Sequence, residues 1–147
     1  MAQVELLLSP LPSHVRTARL VGVAAARRAG LDADLVDELR LAVGEACSRA
    51  VGLHVRHACD LPVRIVLNDD PTGLTVTVTD AGPPADGPAP ELDVDAFDEE
   101  EQDGTVDPAV ALAVLAGLVD DFEVGPGADG ANGTTVRLRW PLPTRLP

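Results

Sequence analysis

The chain has 147 residues and a formal net charge of −13, with 46% hydrophobic but only 2% aromatic residues. That length suits a single domain over residues 1–147, with a core of small and branched aliphatics rather than rings. So acidic a chain lacks the basic surface that nucleic acid or an anionic membrane requires, and neither is an expected partner.

Val4 to Leu8 is a short apolar run stopped by Ser9-Pro10-Leu11-Pro12, which reads as a first strand and a turn. Ser13 offers an N-cap for a helix from His14 to about Ala29, with Gly30 as its stop. Arg16, Arg19 and Arg27 fall on one stripe of that helix, which solvation alone would explain. Asp32 and Asp34 suit the start of a second helix, where acids complement the macrodipole. Leu35, Leu39, Ala42, Ala46 and Ala50 form its apolar face, and it ends near Arg56.

Pro62–Asn68 and Leu74–Thr79 read as strands, the second alternating Thr with Leu or Val. Asp69-Asp70-Pro71-Thr72-Gly73 between them is turn chemistry, so the pair is a hairpin. Residues 81–105 hold four prolines and the acidic run Asp98 to Glu101, the composition of a loop, here an acidic lid. Pro108 fits the first turn of a helix to about Leu118. Asp121–Val124 and Thr134–Trp140 close the chain as strands, joined by the Gly-rich segment from Gly125 to Gly133.

The order strand, two helices, two strands, loop, helix, two strands predicts an α+β two-layer sandwich. Its mostly antiparallel, mixed sheet would carry three helices on one face. His54 and His57 sit three apart but lack a third ligand, and Asp93 to Asp103 lacks calcium-loop spacing, so no metal site is expected. Cys47 and Cys59 read as reduced thiols. No leader pattern opens the chain and no apolar run reaches membrane-spanning length, so a cytoplasmic location is expected.

Three motifs stand in register with these elements. Val36 to Ala46 leads to Glu45-Ala46-Cys47-Ser48-Arg49 on the second helix. Asp80-Ala81-Gly82 ends a strand, and Gly133-Thr134-Thr135 opens the last one. Together they resemble the nucleotide-site frame of the GHKL-type ATPases, in the branch of the anti-sigma-factor serine kinases. The resemblance runs from about Val4 to Leu142.

It implies that Glu45 stands at the general base and Arg49 at the asparagine that ligates Mg²⁺. Asp80 would recognise the adenine amino group, with Gly82 and Pro84 at the two glycines that follow it. Ala109 and Ala111 would stand at the phosphate-loop glycines, and Gly133-Thr134 at the terminal Gly-Thr. Arg49 has no acceptor for a hard cation, and Pro84 cannot copy a permissive glycine. If Arg49 pairs with Glu45 at i,i+4, the carboxylate becomes a poorer base.

The resemblance therefore implies a partner-switching regulator with impaired Mg-ATP binding, and no cofactor is expected. Its partners would be a STAS-domain antagonist or a sigma factor, met through Arg16 and Arg19 on the first helix; relatives pair as homodimers. The alternative is an active serine kinase in which Arg49 clamps phosphate and ATP with Mg²⁺ is the cofactor. A third reading makes residues 86–107 an acidic mimic that blocks a basic protein surface.

Overall fold

The computed structural model describes residues 2–83, 108–127 and 132–142. Pro84 and the acidic segment through residue 107 lie outside the described residues. The elements are β1 (Ala2–Leu8), α1 (His14–Ala29), α2 (Ala33–Arg56), β2 (Val63–Asp70), β3 (Gly73–Thr79), α3 (Pro108–Leu118), β4 (Asp121–Pro126) and β5 (Thr134–Pro141). The strands form one sheet in the order β1-β2-β3-β5-β4. All four pairings are antiparallel, so the mixed character expected of the sheet is not found among the described residues.

Side-chain parity gives the sheet two chemically different faces. Leu67, Val76 and Leu138 line up in register and are buried, as are Ile65, Val78 and Val136. The intervening residues form the opposite face. There Arg64 donates to Glu5 at 2.8 Å, Arg137 reaches Asp121 and Glu123, and the Thr79 and Thr135 hydroxyls meet at 3.3 Å. Exposed pairs of this kind contribute little stability; burial of the apolar face dominates.

The helices cover that apolar face. Small residues let α1 and α2 approach closely: Ala18, Gly22 and Ala26 are buried, and a Cβ on Gly22 would lie 3.3 Å from Leu39 Cδ2. Leu115 and Val119 bring α3 and its exit into the same core. No helix is long and apolar enough to cross a membrane among the described residues.

Helix α1 ends as the sequence predicts. Gly30 has φ +92°, and its N–H reaches the carbonyls of Ala26 and Arg27, while Leu31 N–H returns to Ala26. Its start differs. Ser13 is already helical in φ and ψ and makes no side-chain cap; the preceding turn supplies His14 N–H to Leu11 O and Val15 N–H to Pro12 O instead. The hairpin turn is tighter than expected, with β2 running on to Asp70. Asp70 Oδ1 accepts from the Thr72 N–H at 2.7 Å, the Thr72 hydroxyl at 2.6 Å and the Gly73 N–H at 3.0 Å.

Candidate functional site

The alternation of β3 decides what Asp80 can do. Thr75, Thr77 and Thr79 point to the open face, so Val76, Val78 and then Asp80 point at the helices. Asp80 is accordingly buried, and its backbone N–H donates to Thr134 O at 3.0 Å, holding it against the start of β5. On α2, Glu45, Arg49 and Leu53 recur every four residues and share one stripe. The middle one of these side chains meets Asp80.

Arg49 Nη1 donates to Asp80 Oδ2 at 2.9 Å, with the two side chains only 2% and 1% exposed. Asp80 Oδ1 accepts the Gly82 N–H at 3.0 Å. Both carboxylate oxygens are thus engaged. The conditional i,i+4 pair between Glu45 and Arg49 does not form. Glu45 is half-buried without an ion-pair partner among the described residues, because Arg49 is drawn inward to an unsolvated carboxylate.

Two further α2 side chains fasten the same turn. His54 is fully buried; its Nδ1–H donates to Leu61 O at 2.8 Å, and its Nε2 accepts the Ala81 N–H at 2.9 Å. A backbone N–H can only donate, so Nε2 carries no proton and the ring is neutral. Leu53 packs on Gly82, where an added Cβ would come within 3.2 Å of the Leu53 Cβ. Gly133, at φ +92°, lies so close to Asp80 O that any side chain would collide with it. Glycine is required there both by conformation and by space.

The sequence pairs His54 with His57 as a possible grip on metal, and the structure separates them. His57 is the exposed C-cap of α2, and no group of three potential metal-ligating side chains occurs among the described residues. His54 as a positioning residue is not evident from its local spacing, because its partners Leu61 and Ala81 come from later segments. Ala109 and Ala111 lie in the first turn of α3, with Ala111 fully buried in the core.

Arg16 and Arg19 are exposed on α1 and line a groove of about 270 Å³ between α1 and α2, walled by Val15, Val51 and Val55. The Arg19 guanidinium lies directly over Gly44. Burial pushes the Cys47 thiol up to about 12, an effect that the charge of Arg19 partly offsets. Cys47 is therefore a protonated core residue rather than a nucleophile. Both cysteines are free.

The residues in the place of the implied Mg-nucleotide site do not fit that ligand. A guanidinium stands where the resemblance implies a metal-binding oxygen, and it is bonded to the carboxylate implied to accept an amino group, whose other oxygen holds the Gly82 N–H.

No curated protein matches the chain. The family model of the histidine kinase-like ATPase domain matches residues 8–140, from the end of β1 through β5, and takes in Glu45, Arg49, Asp80 and Gly133. The chain therefore belongs to the histidine kinase-like ATPase domain family.

Proposed function

We infer that this domain is an anti-sigma-factor-like regulator that acts by binding proteins, not by turning over Mg-ATP. The observation that carries the reading is the buried Arg49–Asp80 pair. In a family defined by an ATPase domain, this chain keeps the frame and uses its own side chain to engage the carboxylate.

The partner in this reading is a STAS-domain antagonist or a sigma factor, met through Arg16 and Arg19. Those residues present positive charge beside an apolar groove on a chain whose net charge is −13. Such a surface favours an acidic partner with an apolar anchor. The pair also weighs against the kinase alternative. A phosphate clamp needs an accessible guanidinium, and Arg49 is almost wholly enclosed.

Arg19→Glu should weaken capture of a STAS-domain or sigma-factor partner about tenfold, which is about 1.4 kcal/mol, since it puts a like charge against an acidic partner where an attraction stood. Deleting Asp98 to Glu101 should leave capture unchanged; loss of binding on that deletion supports the acidic-mimic reading instead. Phosphorylation of a STAS partner by the purified wild-type domain with Mg-ATP would overturn the regulator reading.

A further inference from the structure

Helix α2 carries a buried glycine, Gly44, in the middle of its 24 residues. A glycine inside a helix weakens it relative to alanine, so its presence calls for a reason. Backbone conformation is not the reason, because the glycines with positive φ among the described residues are Gly30 and Gly133. Space is. A Cβ on Gly44 would collide with Arg19 Nε and lie 2.8 Å from Nη2 and 2.9 Å from Cζ, and these are its three nearest atoms. Gly22, where α1 faces α2, is different: its nearest neighbours are aliphatic atoms of Leu39 and Val43, at 3.3 Å or more.

Arg19 thus reaches across from α1 and rests its guanidinium on the bare backbone of α2. Its charge is felt by the Cys47 thiol on the same helix. No acid holds it there. Among the described residues Arg40, Arg49, Arg64, Arg137 and Arg139 have ion-pair partners, and Arg19 has none. With Arg16 it lines the α1–α2 groove, whose wall includes no acidic side chain. A guanidinium fixed by packing rather than by a carboxylate keeps its N–H donors for an incoming acid. Fixing so long a side chain before binding also removes part of the ordering cost that an interface otherwise carries.

We propose that Gly44 is a positioning residue for partner binding: its missing side chain seats the Arg19 guanidinium at the α1–α2 groove, so that an acidic group of the partner meets a cation already in place. The partner comes from the regulator reading above, on which this rests; the seat itself does not depend on it. The helix is weaker for having a glycine at this position, and in return it carries an ordered cation.

The test is a double-variant cycle in the full chain, Gly44→Ala with Arg19→Ala. The three atoms nearest the added methyl all belong to the movable head of Arg19, so Gly44→Ala should keep the fold. In the Arg19→Ala background it should raise the thermal midpoint by about 2–4 °C, the gain of alanine over glycine within a helix for a domain of this size. With Arg19 present the rise should fall below about 1 °C, because displacing the guanidinium offsets it. Gly44→Ala should also weaken capture of a purified STAS-domain antagonist about fivefold, and should weaken it no further once Arg19 is alanine.

Coupling of Gly44→Ala to Arg19 in both readouts supports the seat. Equal midpoint shifts in the two backgrounds, undiminished capture by Gly44→Ala, or a loss of capture that persists in the Arg19→Ala background would overturn it. Failure of wild type to capture any STAS-domain or sigma-factor partner counts against the regulator reading alone. The midpoint cycle needs no partner, and in that event it decides the seat.

Discussion

At the scale of single residues, the consequential event is the recruitment of Arg49 by a carboxylate 31 residues away rather than by its helical neighbour Glu45. A solvated i,i+4 pair is worth about 0.2–0.5 kcal/mol, whereas a buried carboxylate without a partner costs several times that. The stronger demand decides the rotamer. Asp80→Ala should therefore destabilise the domain by about 3–5 kcal/mol, through the stranded arginine, as read from urea unfolding. A loss under about 1 kcal/mol would mean that Arg49 relaxes to solvent when Asp80 is removed. His54 belongs to the same scale: two hydrogen bonds from one neutral ring tie the exit of α2 and the Asp80 turn together.

At the scale of elements, the β2–β3 hairpin is pinned by one acid. Thr72's hydroxyl, then Arg139, then the Thr72 N–H hold the Asp70 carboxyl well below the usual carboxylate range. A carboxylate whose folded-state pKa is depressed contributes stability that is fully present above its unfolded value, near about 4, and is lost as pH falls through the folded value. Asp70→Asn should thus be less stable than wild type at neutral pH, with the gap closing as the pH falls below about 4. Parallel midpoint curves for the two proteins across that window would contradict the assignment. Glu38 has the opposite sign: burial, and then the charge of Asp120, push its carboxyl up, with the Trp140 indole acting against them. The elements themselves were largely legible. Apolar period placed α2 and alternation placed β3, while Gly30 and Pro108 marked an end of α1 and of α3; β2 runs to Asp70, past the Asn68 expected. The Ser13 cap was misread because capping depends on backbone angles that a Ser-containing pattern does not fix.

At the scale of the whole molecule, the chain keeps the frame of a histidine kinase-like ATPase domain over residues 8–140, with a buried Arg49–Asp80 pair inside it. Motif order revealed which residues meet, and the family match over residues 8–140 agrees with that frame. Which charges pair was not legible, since Glu45 was the nearer candidate in sequence. One signal was present: Asp80 continues the parity of Val76 and Val78, so it must point at α2, where Arg49 is the cation on the facing stripe. The claim that this pair has taken over the nucleotide's place is tested most directly by titrating a fluorescent ATP analogue into wild-type protein, with and without Mg²⁺. The account predicts no saturable binding in either condition. Saturable binding that requires Mg²⁺ would contradict it, because no acceptor at Arg49 could hold the ion.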